Sequence, residues 1–304
     1  MVLIVWLLGF TLFFATTGST VMAQSAPPLK CITFNMLHGG MFSGLRGNAQ
    51  DLDRRLEVAV EELRALDADV LGLQEASMGR GRGNVAQRLA AQLGFHYVYA
   101  PASFRLFASE TINRVIARVM NLTEGPAIIS RFPIISWEAH DLPRCGRFTD
   151  PRVLLCAELQ TPWGQVSVCS THVSGDPCQT ESITHFLRQR RNSLPLLLMG
   201  DFNAPEGTPA ITALTKEAGF VDTFRAANPT APGATVWQRV YSPRPTAFRR
   251  VDYLFLLPGT DFPGKVRSSR VVLDVPQHFQ DGQVLWPSDH YGVLSEVEVF
   301  PPLS

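Results

Sequence analysis

The chain is 304 residues long and 45% apolar, ordinary values for a globular protein with a full core. Its 27 basic and 27 acidic residues cancel, which excludes long-range capture of a polyanion by a global field. No repeat, heptad run, low-complexity tract or Pro/Gly/Ser-rich linker breaks the sequence.

Residues 2–15 are almost uninterrupted apolar sequence, followed by small and hydroxyl residues and by Val21-Met22-Ala23. The pattern is that of a secretory signal cleaved after Ala23. Left uncleaved, the run is nearly long enough to anchor the chain in a membrane. Residues 1–23 are therefore assigned to export and 24–304 to one domain, with a secreted or periplasmic location expected. Export makes the five cysteines disulfide candidates. Cys31, Cys156 and Cys169 sit in apolar strands, where a buried thiol is the usual state. Cys145 and Cys178 sit in predicted loops, and a bridge between them is expected. Cys156–Cys169 is its rival, and the odd count leaves at least one free thiol.

A short strand is predicted over residues 31–35. Residues 51–66 read as an amphipathic helix, with Leu52, Leu56, Ala59, Val60, Leu63 and Leu66 on one stripe. A buried strand at 69–74 precedes a helix at 84–93 closed by Gly94. A strand covers 95–99. Residues 101–124 fit neither period, and Asn121-Leu122-Thr123 within them is a glycosylation sequon. Strands follow at 127–130, 134–139, 153–159 and 165–171, then a helix at 181–191 and a buried strand at 194–199. A helix at 208–218 ends at Gly219, and strands at 251–257, 266–273 and 291–300 complete the chain. Strands outnumber helices and mostly do not alternate with them, which points to packed sheets flanked by helices.

The apolar strands share a habit of ending on polar residues. The strand at 194–199 runs into Gly200-Asp201-Phe202-Asn203, where strand period would place Asp201 and Asn203 on one side. These residue types are also turn formers. Other strands end on Asn35, on Gln74-Glu75, on Thr171-His172 and around Asp252, and Ser288-Asp289-His290 precedes the last strand. Six separated segments delivering such groups look like one metal-assisted site. A carboxylate such as Glu75 at the end of a buried strand is costly unless paired or metal-bound. An imidazole suits proton transfer when an acid orients it, and His290 has Asp289 beside it and Asp252 available. His172 offers a second imidazole. The absence of cysteine spacing argues against structural zinc, and no nucleophile elbow or Walker loop is present. Among 24 Arg and three Lys, Arg80 and Arg82 stand out, because they lie in a glycine-rich loop just after Glu75 and suit phosphate.

Taken in order, Phe34-Asn35, Leu73-Gln74-Glu75, the run from Gly125 to Ile134, Ser170-Thr171-His172, Gly200-Asp201-Phe202-Asn203, Arg250-Val251-Asp252-Tyr253 and Ser288-Asp289-His290 resemble the endonuclease/exonuclease/phosphatase superfamily. The resemblance spans about residues 30 to 300. It implies an α/β four-layer sandwich, with two packed mixed sheets between helices and a catalytic site at one edge. It also implies Mg²⁺ (or Mn²⁺), with Asn35, Glu75 and Asp289 on the metal side and Glu75 a direct ligand. Asp201 would position or deprotonate the attacking water, and Asn203 would hold the scissile phosphate. His290, oriented by Asp252, would polarise that phosphate. His172 would serve another phosphate oxygen or the leaving group, with Glu124 as its orienting residue.

Substrate is less constrained by the resemblance. The layout of Cys145 and Cys178 around His172 resembles secreted sphingomyelinases, and zero net charge does not favour duplex DNA. The expected activity is hydrolysis of a small or lipid-linked phosphodiester by a monomer, with no obligate protein partner. An endonuclease acting on DNA or RNA is the alternative, and a weakly catalytic phosphate-binding protein the second.

Overall fold

The computed structural model describes residues 26–37, 51–79, 82–102, 109–119, 123–145 and 151–302. The expected export segment, the Asn121 sequon and Arg80 lie outside the described residues. The first half of the chain comprises β1 (Leu29–Asn35), α1 (Leu52–Leu66), β2 (Val70–Gly79), β3 (Gly83–Asn84), α2 (Val85–Leu93), β4 (His96–Tyr99), α3 (Glu110–Val119), β5 (Thr123–Ser130) and β6 (Ile134–Asp141). It continues with β7 (Val153–Thr161), β8 (Gly164–His172), α4 (Pro177–Arg188), β9 (Leu196–Asp201) and α5 (Pro209–Thr212). The remainder is β10 (Val221–Asp222), α6 (Thr223–Ala227), β11 (Asp252–Leu257), β12 (Lys265–Val272), β13 (Gln277–His278), β14 (Val284–Leu285) and β15 (Gly292–Glu298).

Two mixed sheets form the centre. One runs β12-β15-β1-β2-β5-β4, with β3 on β2, and the other β10-β11-β9-β8-β7-β6. Apolar side chains between them, including Cys31, Val70, Ile128, Val168, Leu197, Met199 and Leu254, make one core. The stripe predicted on α1 closes a second core with α2 over the first sheet, and Ile183 and Leu187 of α4 close a third over the second sheet. The result is the expected α/β sandwich. The central strands are buried on both faces, which is why β1, β2 and β9 read as continuous apolar runs. At Gly72 the sheets come so close that a Cβ would meet Met199 Cβ at 2.6 Å.

Local signals behave as expected in α2, where the Asn84 side chain accepts from Gln87 N–H and Gly94 closes the helix at φ 73°. Other stretches differ. A helix, α3, occupies part of the region that fits neither period. The helix expected at 208–218 is one α turn followed by a π turn at Ala213–Glu217. The β13–β14 ribbon and α6 carry too few residues for a period to show.

Both cysteine pairs are bridged, Cys145–Cys178 with Cα atoms 6.1 Å apart and Cys156–Cys169 with 4.1 Å, while Cys31 is free and buried. The rivals are compatible: Cys156 faces Cys169 across the β7–β8 register, and Cys145–Cys178 ties the loop after β6 to the start of α4. Gln179 braces the same place, accepting from Ser174 N–H at 2.8 Å and donating to Pro143 O at 3.1 Å. Removing the Cys145–Cys178 bridge by a double alanine substitution is expected to cost roughly 3–4 kcal/mol. Urea denaturation measures it, and an unchanged midpoint would contradict the expectation.

Candidate active site

Register explains why the polar strand ends meet. β1 runs parallel to β2 with Asn35 opposite Gln74. In the second sheet β8 is parallel to β9 and β9 antiparallel to β11, so His172, Asp201 and Asp252 form one row across three strands. Because β15 is antiparallel to β1, its leading segment Ser288-Asp289-His290 arrives at the end of β1 that carries Asn35. Ser288 fastens the junction, donating to Asn35 O at 2.7 Å and accepting from His290 N–H at 3.2 Å.

Asn35 links the two sheets. Its fully buried amide donates to Glu75 Oε1 at 3.1 Å and to Asp201 Oδ2 at 3.0 Å, while its carbonyl accepts from Leu37 N–H. Glu75 reaches it through a backbone irregularity. The β2–β5 register shifts between Leu73 and Ala76, and Glu75 sits at φ 55°, so a bulge re-aims the carboxylate out of strand alternation. Asn203 also departs from strand geometry. β9 ends at Asp201, and Asn203 lies at φ 49° in a turn closed by its own N–H on Asp201 Oδ1 at 2.8 Å. The turn, rather than strand period, points the Asn203 amide at Val173 O and at His172 Nε2, each 2.9 Å away. The bond to Val173 O fixes that amide as donor, so Nε2 of His172 is the acceptor.

The carboxylates and imidazoles are set in opposite electrostatic states. Burial raises Asp201 to about 7, with Asp252 adding to the rise and His290, Asn203 and Asn35 opposing it. For His290, burial would favour the neutral ring, but Asp252, then Asp201 and Asp289, hold it well above its ordinary value. Its Nδ1 lies 2.9 Å from Asp252 Oδ2 and its Nε2 3.8 Å from Asp201 Oδ2. Burial, with Arg152 and His290, pushes His172 well down. One imidazole is thus cationic and the other neutral, on either side of Asp201. Asp289 is raised by burial and by Glu75, against the pull of His290 and Arg55.

The structure brings Asn35, Glu75, His172, Asp201, Asn203, Asp252, Asp289 and His290 together. Glu124 lines a small cavity with Glu75, Arg152 and His172. Arg82 reaches Ser77 Oγ at 3.5 Å beyond the end of this cluster, and burial lowers it. Two positions, Arg55 and Thr235, escape the sequence reading, and Arg152 is read from the sequence as structural. Arg55 on α1 is 1% exposed and donates to Met36 O, Leu37 O and Pro287 O at 2.6, 2.7 and 3.1 Å, clamping the segments that follow Asn35 and precede Asp289. Arg152 sits near enough to His172 to disfavour its charge. Thr235 accepts from Val251 and Asp252 N–H, fixing the start of β11.

Two groups of donors could hold a cation. Glu75 and Asp289 lie near enough to repel one another. Asp201, Asp252 and His290 present ligand atoms within 4.8 Å of each other, and Asp252 Oδ1 is buried with no hydrogen-bond partner among the described residues. The repulsion and the orphaned oxygen both fit a hard divalent ion better than a thiolate-seeking one.

Crowded acids at a site destabilise the ion-free fold. An acid whose folded pKa is raised contributes stability at low pH and loses it as pH rises through the window between its unfolded value, near 4, and its folded value of about 7. In chelator, Asp201→Asn is therefore expected to melt above wild type at pH 8 and to coincide with it near pH 4. Calorimetry across that range checks it; a constant difference at both ends would contradict the assignment of the shift to Asp201.

A sequence model described as the Endonuclease/Exonuclease/phosphatase family matches residues 32–290. No curated protein sequence matches the chain. Among solved structures, a mannosyl-6-phosphatase of Bacteroides thetaiotaomicron VPI-5482 is similar at 16% identity and TM-score 0.69, over 90% of this chain and 100% of that one. The human nocturnin catalytic domain, described with a bound sulfate anion, aligns at 19% identity and TM-score 0.62, over 90% of this chain and 94% of that one. D. rerio TDP2, complexed with a single-strand DNA product, aligns at 16% identity and TM-score 0.59, covering 89% and 99%.

Proposed function

Because the chain belongs to the endonuclease/exonuclease/phosphatase family, whose members hydrolyse phosphoester bonds, we propose that it is an exported, divalent-metal-dependent phosphodiesterase acting on a small or lipid-linked phosphodiester. The observation that carries the reading is the convergence of two imidazoles on Asp201, His172 Nε2 at 3.4 Å and His290 Nε2 at 3.8 Å from its Oδ2, with Asp252 holding His290 Nδ1 at 2.9 Å. Glu75, which accepts from Asn35, and Asp289 would hold Mg²⁺ or Mn²⁺, which when bound supplies charge neutralisation of the phosphate.

The protein's own groups divide the remaining work. A carboxylate near pH 7 is matched to taking a proton from water, which assigns Asp201 as general base. The His290 imidazolium, locked by Asp252, stabilises negative charge on a phosphate oxygen. Asn203 is poised to exchange His172 for a second phosphate oxygen. That exchange would free His172 Nε2, 3.4 Å from Asp201 Oδ2, to receive the proton that Asp201 takes from water and pass it to the departing oxygen, while Glu124 and Arg152 line the cavity beside it. The two disulfides support the exported location. A nuclease is the second reading, favoured by the likeness to a fold that holds a DNA product.

Side-by-side turnover of supercoiled plasmid, phosphatidylinositol and sphingomyelin tests the substrate class. Release of soluble headgroup phosphate with little nicking is expected; efficient nicking at near-physiological salt with no release would reverse it.

A further inference from the structure

An exposed aromatic and basic patch adjoins the site along the segment that carries Asp289 and His290. Val236 forms bridges with both His290 and Arg249, and the Gln238 N–H donates to Asp289 O at 2.7 Å. Beside this seam Trp237, Tyr241 and Phe248 are 53%, 55% and 69% exposed, so these rings forgo much of the free energy that burial would give them. Pro243 and Pro245 on the same loop are exposed too.

The charge around the rings is mostly positive, with Asp51, which accepts from the Tyr241 hydroxyl at 3.0 Å, as the acidic exception. Residues 223–251 contain five arginines and no Asp or Glu. Arg225 and Arg250 are paired with Glu206 and Asp222. Arg239, Arg244 and Arg249 have no ion pair and no side-chain hydrogen bond among the described residues, and Arg249 lies 4.9 Å from the centre of the Trp237 ring. Exposed rings that tolerate a headgroup environment, ringed by cations without acidic partners, are the two components of interfacial lipid binding.

We propose that this patch docks the protein on an anionic lipid surface. Trp237 and Phe248 enter the headgroup region while Arg239, Arg244 and Arg249 pair with lipid phosphates, which presents the adjoining site to a headgroup ester. A single-stranded nucleic acid, the other polyanion bound by aromatic and arginine side chains, fits less well. The Trp237 and Phe248 planes meet at 61° with centroids 6.1 Å apart, leaving no parallel slot for a base, and Arg249 covers one Trp237 face. The choice of a lipid-linked ester rests on the hydrolase reading, but the docking itself is tested without turnover.

The full chain is sedimented with vesicles of phosphatidylcholine alone or mixed with phosphatidylglycerol. Wild type is expected to bind the mixed vesicles more tightly. Trp237→Ala with Phe248→Ala should weaken that binding about tenfold or more, and Arg239→Gln or Arg244→Gln roughly fivefold each. The N-terminal apolar segment is common to all these proteins, so the differences read the patch. Brominated phosphatidylcholine in the mixed vesicles should quench wild-type tryptophan fluorescence more than that of Trp237→Phe. Hydrolysis of soluble bis-p-nitrophenyl phosphate should stay within about twofold in every variant, because none touches the reacting groups. Equal vesicle binding by wild type and the double variant, or equal quenching with and without Trp237, overturns the proposal. So does tighter binding of a labelled single-stranded oligonucleotide that the same variants lose. Vesicle binding by a protein that hydrolyses no phosphoester would instead overturn the hydrolase reading alone.

Discussion

Asp201→Ala and His290→Ala should each lower kcat on an activated phosphodiester by roughly 10²-fold or more, with little change in KM, the usual scale for a lost acid–base or charge-stabilising group. The two side chains are buried, share a field and sit 3.8 Å apart, so the losses should not add. The double variant is expected to fall close to the worse single one. Asp252→Asn should follow His290, because it leaves the imidazole in place and removes the charge that holds its proton. A variant with near-wild-type kcat and an intact fold would remove that residue from the mechanism. A double variant showing the full product of the two losses would mean that Asp201 and His290 act in separate steps.

Glu75→Ala should raise the Mg²⁺ concentration needed for half-maximal activity by about 100-fold or more, since loss of a direct ligand should exceed the 10–100-fold cost typical of groups behind one. Glu75→Gln should lie between, keeping an oxygen donor but not the charge. Asp289→Asn should show the same direction with a smaller effect, because Arg55 already offsets part of its charge. Manganese titration of the chelated proteins, followed by the water-proton relaxation of free ion, reads affinity apart from turnover. Unchanged affinity in Glu75→Ala would move the ion to Asp201, Asp252 and His290, the other group of donors within reach of one another.

Much of this site can be read from the chain because parallel pairs and a row of strand ends need no special geometry to converge. Asn35, His172, Asp201 and Asp252 are all placed by register alone. Glu75 and Asn203 reach the same cluster by other means. A bulge and a left-handed turn carry them there, and neither leaves a periodic signal. Arg55 is invisible for a different reason. Its carbonyl partners are as far as 232 positions away, and a charged residue at the edge of an apolar stripe reads as solvated until the tertiary fold covers it. The Trp237–Phe248 pair is hidden likewise, since its members lie on opposite arms of a short excursion with no strand pattern. The cysteines show the converse limit: two pairings that look like competitors occupy different elements and coexist.

The most direct test is turnover of bis-p-nitrophenyl phosphate by exhaustively chelated protein, before and after stepwise return of Mg²⁺. The reading of Glu75 and Asp289 as a cation site serving Asp201, His172 and His290 predicts activity that vanishes on chelation and returns saturably with the ion. Full hydrolysis in the chelated state, unchanged by added Mg²⁺, would contradict it.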